Sequence, residues 1–425
     1  MKPILLTLFL INSLVSFSFK IASYNVENLF DLKFSGTEYK EYIPNNKYRW
    51  NAKNYNKKLQ NIAKVLSDIN AEVVVLQEVE NVLALKDLLK VLKTKEGLYY
   101  KYFAITNSHS SIQNAIISKF KILKKKNIVV KKVKGYRDIL KVTLDVRGKE
   151  LIIFANHWKS KWGKESKRHI YAKTLKKELQ KIQNKDYLVV GDLNSNYNEY
   201  ETFKNNKKLN NTNGITGINH ILKTLTKDGL VSEEKVKKSK QLLYNLWLEL
   251  YPIDRYSRKY YRSSGTPDAF LLPATLFDKN GINYVDNSFK VFKQKYLFSK
   301  KNVVKRWQLD KKKRHIGKGY SDHLPIYATF STLAFTDKKE HKLSILNVQQ
   351  ILDTKVIDKN FILKDIIMTK KKKYGFFVSD SSGGEIFIYK PKYKFEKNKK
   401  YNLLVETTVY YKNHEEIKGY NTWQK

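Results

Sequence analysis

Six apolar, strand-length runs in this chain each carry a carboxylate, an amide or an imidazole at one end. "KIASYNVEN" runs out onto Asn25 and Glu27, "EVVVLQE" onto Gln77 and Glu78, and "ELIIFANH" onto His157. "YLVVGDLN" ends with Asp192 and Asn194, "DAFLL" opens on Asp268, and "DHLPIYATF" opens on Asp322 and His323. Near-continuous apolar runs of this length read as strands buried on both faces. Such strands need cover. Between them Tyr55, Leu59, Ile62, Ala63, Leu66 and Ile69 recur at helical spacing. Val82, Leu85, Leu88, Leu89 and Leu92 repeat the pattern, and a third helix is expected from about Ile170 to Ile182. Sheets covered by helices make the class α/β or α+β. One polar strand end is ordinary loop chemistry. Six of one chemical type predict that the strand ends meet at a common site.

Asp322 and His323 are adjacent, and neighbours within a strand point to opposite faces. They can share a site only if both sit on the turn before the strand, as Gly319 and Ser321 suggest. Cysteine is absent, so no thiolate metal site and no disulfide exists. Oxygen-rich candidates favour a hard cation: Mg2+, with Mn2+ or Ca2+ as alternatives.

Lys and Arg number 82 against 40 Asp and Glu, a formal charge of +42. That balance predicts attraction to polyanions, whether nucleic acid or an acidic membrane surface. The opening "MKPILLTLFLINSLVSFSFK" places Lys2 before an apolar stretch and small residues at Ser16 and Ser18. It reads as a signal peptide, residues 1–18, and predicts secretion to the periplasm or outside the cell. No later segment is long enough to span a membrane, so no stable span is expected. No obligate protein partner is evident either.

Taken in order, "SYNVENLF", "LQEVEN", "ANHWKSK", "GDLNS", "PDAFLL" and "YSDHLPI" resemble the motif set of the endonuclease/exonuclease/phosphatase superfamily, the DNase I-like fold. The resemblance covers roughly Lys20 to Ser331 and implies a four-layer sandwich of two β-sheets flanked by helices. It implies metal-assisted phosphoester cleavage at one rim. By that resemblance Glu78 is the principal metal carboxylate, with Asn25, Glu27 and Asp322 completing the oxygen shell. Asp192 orients or deprotonates the attacking water, and Asn194 donates to a phosphoryl oxygen. His323 is the essential histidine, Asp268 fixes its tautomer, and His157 protonates the leaving oxygen. The glutamate that orients this last histidine in DNase I has no counterpart near "NAIISK", where Gln113 is the available acceptor. Arg137 resembles a phosphate-contacting arginine; a surface salt bridge is its competing reading.

The expected organisation is a catalytic domain over 19–333, a linker over 334–342 and a small all-β domain over 343–425. The last resembles an OB-fold, with "HKLSILNVQQILD" as a strand and a hairpin at Ser382, Gly383 and Gly384. The expected function is a secreted endonuclease acting on DNA or RNA. Lys159, Lys161 and the run Lys311, Lys312, Lys313 and Arg314 are the expected phosphate contacts. A lipid phosphodiesterase of the sphingomyelinase kind, or an inositol-polyphosphate phosphatase, is the alternative on the same scaffold. The "GTPDAF" stretch before Asp268 is unlike the phosphatase pattern.

Overall fold

The computed structural model describes residues 17–250, 254–261, 263–337, 345–354, 361–391, 393–411 and 414–424. Residues 1–16 of the expected leader and residues 338–342 of the expected linker lie outside these. The chain divides into two compact units, Met1–Lys338 and Lys339–Lys425.

Among its described residues the first unit holds a seven-stranded and a six-stranded sheet. The first runs Asn283–Tyr284, Ile326–Ser331, Ser18–Leu29, Val73–Val79, Gln113–Ser118, Tyr102–Ile105, and Lys290–Val291 also pairs with Ile326–Ser331. The second runs Tyr244–Asn245, Asp268–Leu272, Tyr187–Asp192, Lys149–His157, Ile139–Val146, Lys121–Ile128.

The period-two alternation of the central strands sorts their side chains into three cores. Phe19, Ile21, Val73 and Val75 meet Val142, Ile153, Leu188 and Phe270 between the sheets. On the outer face of the first sheet, Tyr24, Val74 and Leu76 pack against Leu59, Ile62 and Leu66 of the helix Ala52–Ile69 and Leu85 and Leu88 of Val82–Glu96. On the outer face of the second, Phe154 and Val189 pack against Tyr171, Ala172 and Leu175 of the helix Glu165–Leu179. The result is the helix–sheet–sheet–helix layering expected.

The helix boundaries follow local chemistry. Asn51 accepts from the Asn54 amide, and Asn81 from the amides of Leu83 and Ala84, as N-cap residues do. The third helix starts before Ile170. Its first turn buries Glu165, whose Oε2 accepts from Arg168 Nε at 2.7 Å. A buried ion pair is invisible to a hydrophobic-period reading. The expected linker also starts too early. The Phe335 amide bonds to the Asp278 carbonyl and its ring stacks edge-on against Phe277, so it belongs to this unit.

In the second unit five strands form a closed circuit: Phe361–Lys372, Gly375–Ser379, Glu385–Tyr389, His414–Gln424, Tyr401–Tyr411 and back to Phe361–Lys372. The pairing of Glu385–Tyr389 with His414–Gln424 is parallel and the others are antiparallel. Strands Gly375–Ser379 and Glu385–Tyr389 join through the expected hairpin. "HKLSILNVQQILD" departs from expectation: among its described residues, from Ile345 on, only Ile345–Leu346 is strand, and Val348–Thr354 is helix. Asn347 Oδ1 accepts from the Gln350 amide, an N-cap bond, and Val348 and Ile351 are buried at helical spacing.

Candidate active site

The register of the second sheet sets three of the expected residues in a row. His157 stands opposite Asp192, and Asp192 stands opposite Asp268. In the first sheet Asn25 stands opposite Gln77. The pairing shifts just beyond, between Asn25 and Leu29 and between Gln77 and Val79. Within these irregularities Glu27, Asn28 and Glu78 have φ of 51°, 62° and 67°, and Asn194 across the rim has 48°. Left-handed backbone is uncommon outside glycine, and such strain gathers at functional sites. A bulge at a strand end re-aims a side chain. Here Gln77 stays in the core on Ser23, and Glu78 turns out to the rim.

Asn25 joins the two sheets. Its Nδ2 donates to Glu78 Oε1 and to Asp192 Oδ2, both at 3.1 Å, while its Oδ1 accepts from the Glu27 amide at 3.0 Å. The Asn194 amide donates to Asp192 Oδ1 at 2.8 Å. Burial, the largest influence, pushes the Asp192 carboxyl up to about 7 against the opposing pull of His323. A carboxylate poised there suits proton transfer at neutral pH.

His323 Nδ1 donates to Asp268 Oδ2 at 2.7 Å, and the same oxygen accepts from Ser257 Oγ at 2.5 Å. Burial opposes charge on His323, but Asp268 and Asp322 outweigh it and raise its pKa well above the usual value. The imidazole is therefore held as a cation. His157 is the opposite case. Burial, then Arg137, pushes its pKa well below normal, so it is neutral. Arg137 is buried, and its guanidinium reaches His157 Nε2 at 2.9 Å and the His157 and Trp158 carbonyls at 3.2 and 3.1 Å. This excludes the surface salt bridge. Since an arginine only donates, Nε2 accepts and the ring proton sits on Nδ1. Nδ1 is buried without a partner among the described residues. Gln113 does not reach it: its amide is bonded to Thr106, Ser108 and Ser110.

Glu78 and Asp322 are two expected metal carboxylates close enough for their charges to interact. Burial, then repulsion from Asp322, raises the Glu78 pKa, and the Asn25 bond only partly offsets them. Two carboxylates that repel across a polar rim are the donor set a divalent ion satisfies. One ligand atom each of Asp192, Asp268 and His323 also lie within 4.8 Å of one another. A cation there would compete with the charged imidazole and with the proton His323 shares with Asp268.

Other expected residues fall elsewhere. The Glu27 carboxylate is bound by Arg306 and by the Trp307 amide at 2.9 Å. It is therefore a brace and offers no free oxygen to a metal, because the left-handed turn at Glu27 reverses the direction its spacing from Asn25 implied. Asn25 likewise presents its amide nitrogen, not its oxygen, to Glu78. Lys161 pairs with Glu199 at 2.7 Å, and Lys159 Nζ bonds to the Gly135 carbonyl. Arg314 closes on Asp310 and Lys313 on Glu41, so neither bonds a side chain of the site. Asn194 Nδ2 donates to the Trp158 carbonyl.

Three residues at the site lie outside the sequence expectations. Ser257 bonds Asp268, Arg258 stands 3.6 Å from Asp322 Oδ2, and the fully buried Lys58 donates to the Glu27 carbonyl at 2.7 Å. "YSRKYY" carries no periodic signal that singles out the first two. Lys58 lies on the buried face of a regular amphipathic helix, where a lysine is out of pattern, and that was the available clue.

The model of the endonuclease/exonuclease/phosphatase family matches residues 20–230. Asp268 and His323 lie beyond the match, and the fold returns them to the same rim. No curated protein matches the chain. Solved structures similar to it include D. rerio TDP2 complexed with single strand DNA product, at 19% identity and TM-score 0.44, covering 74% of this chain and 98% of that one. An AP endonuclease from Archaeoglobus fulgidus has 15% identity and TM-score 0.44, with 73% and 98% covered. An endonuclease/exonuclease/phosphatase family protein from Bacteroides thetaiotaomicron has 13% identity and TM-score 0.43, with 76% and 99% covered.

Proposed function

We propose that the chain, whose residues 20–230 match the endonuclease/exonuclease/phosphatase family model and so support phosphoester hydrolysis, is a secreted, divalent-metal-dependent nuclease acting on DNA or RNA. One observation carries the reading: side chains from the ends of both sheets, Asn25, Glu78, Asp192, Asp268 and His323, converge in a single site built for charge and proton handling. A divalent ion held by Glu78 and Asp322, when bound, would polarise a phosphoryl oxygen. Asp192 takes a proton from the attacking water as the water oxygen bonds to phosphorus, and the leaving oxygen departs with the electron pair of the broken ester P–O bond and takes a proton from solvent. Asn25 and the Asn194 amide keep Asp192 aimed. The His323 cation neutralises charge gathering on the phosphoryl oxygens, and Asp268 keeps its Nδ1 proton in place so that Nε2–H faces outward. Arg137 adds positive charge behind His157, which holds position as a neutral ring.

The charge of +42 supports a polyanionic substrate. Trp162, 90% exposed on the loop after His157 and with Lys208 Nζ 5.8 Å from its ring centroid, supports contact with bases. We read the closed five-strand order of the second unit as an OB-fold, a scaffold suited to single strands. The leader composition supports secretion, to the periplasm or beyond. No helix among the described residues is long and apolar enough to cross a membrane. The mature chain, assayed with Mg2+ on plasmid DNA, RNA, sphingomyelin and inositol phosphates, tests the reading. Cleavage of nucleic acid is expected; turnover of a lipid or inositol phosphate alone would replace it with the alternative.

A further inference from the structure

A groove of about 410 Å³ opens beside the catalytic rim between the hairpin Arg258–Tyr260/Ser263–Gly265 and the segment 299–308. Tyr260 and Tyr261 stand at its edge, 62% and 56% exposed, with ring centroids 4.7 Å apart and planes at 88°. Lys300, Lys301, Lys305 and Arg306 also line it, and no acidic residue does. Among the described residues the three lysines have no acidic partner, unlike Lys313, Arg314 and Lys161.

The groove is tied to the chemistry by its base. Arg258, at the start of the hairpin, stands 3.6 Å from Asp322 Oδ2. Ser257, one residue earlier, bonds Asp268, and its carbonyl accepts from the Leu324 amide at 2.6 Å. The Val304 amide bonds the Lys259 carbonyl, which fixes the hairpin to the far wall. Two exposed phenol rings over a floor of cations match a flat apolar ring joined to a phosphate. A base presents such a face only when unpaired, because duplex stacking covers it.

We propose that this groove is a subsite for an unpaired nucleotide of the substrate strand, next to the phosphate being cut, with a base on Tyr260 or Tyr261 and its phosphate on Lys300, Lys301 and Lys305. The inference rests on the nuclease reading and adds a preference for single strands or frayed ends.

The test uses the full chain and compares a single-stranded oligonucleotide with the same sequence as a blunt duplex. The Tyr260→Ala/Tyr261→Ala variant is expected to raise KM for the single strand roughly 5- to 100-fold, the span of a lost base stack, with kcat held. The duplex, which offers no free base, should respond far less. Tyr260→Phe/Tyr261→Phe keeps the rings and should keep the wild-type KM. Changing Lys300, Lys301 and Lys305 to Ser should flatten the single-strand salt dependence by about 0.7 per lost contact. An unchanged single-strand KM in the alanine pair overturns the subsite while leaving the nuclease reading intact. An equal loss for duplex, or a phenylalanine pair as impaired as the alanine pair, also overturns it. Reduced adsorption to phosphatidylglycerol vesicles with oligonucleotide KM unmoved would assign the groove to membranes instead. A wild-type chain inactive on every nucleic acid sinks the reading beneath it.

Discussion

His323 and Asp268 are bonded at 2.7 Å across the sandwich: His323 precedes the strand Ile326–Ser331 of the first sheet, and Asp268 opens a strand of the second. The bond holds both the imidazole's tautomer and the spacing of the two rims. His323→Ala and Asp268→Ala should each lower kcat by about 10²- to 10⁴-fold. The double variant should lose little more than the worse single, because the two act as one unit. Steady-state kinetics on a small diester checks this, and multiplicative losses would show that Asp268 acts apart from His323.

Glu78→Gln removes one of two carboxylates at the proposed cation seat while preserving its shape. Activity should fall by several orders of magnitude, and the Mg2+ concentration for half-activity should rise. Thermal unfolding without metal should move little or rise, since the repulsion with Asp322 is gone. Full turnover of the wild type in excess EDTA would contradict a metal role.

The neutral His157 gives a spectroscopic expectation. Burial first, and then the Arg137 cation, holds its pKa far below normal. Its imidazole nitrogens should report an Nδ1–H ring that does not titrate between pH 8 and 5.5 in NMR spectra, while His323 stays charged over that range. His157→Gln should therefore cost less activity than His323→Ala. A His157 resonance that titrates near 6.5 would restore it as a general acid.

Burial pushes the Glu249 carboxyl up to about 8 from 4.5; its bond from Tyr284 opposes the shift, and Asp286 and Glu233 add to it. Below 4.5 the group is protonated both folded and unfolded. As pH rises from 4.5 to 8 the unfolded chain releases the proton and the folded chain keeps it. Stability is therefore lost across that window, by at most about 1.4 kcal/mol per pH unit. Denaturant melts at pH 5 and pH 8 should show the fall, and Glu249→Gln should flatten it. A wild type equally stable at both values would refute this.

The strand ends were legible because apolar runs buried on both faces are long and end abruptly. Asn25, Glu78, His157, Asp192, Asp268 and His323 all reach the rim that those ends implied. Direction was less legible than position. Glu27 lies two residues from Asn25, yet positive φ turns its carboxylate to Arg306, a partner 279 residues away. Local charge misled in the same manner. Lys313 and Arg314 precede His323 closely in sequence but fold onto Glu41 and Asp310, and the cations lining the groove come from a stretch with no motif. Ser257 and Arg258 could not be read because their role depends on where a hairpin docks.

The pairing of Ser18–Leu29 with Ile326–Ser331, Ser18 opposite Ser331 and Ser23 opposite Ile326, joins strands near the two ends of the first unit. In order of synthesis, the first long strand waits almost the length of that unit for its neighbour. Glu78, His157 and Asp192 emerge early, but the turn bearing Asp322 and His323 arrives only with that last strand. A growing chain thus carries Glu78, His157 and Asp192 before the turn that completes the candidate centre exists. The fold leaves the candidate centre incomplete until the strand Ile326–Ser331 has been made.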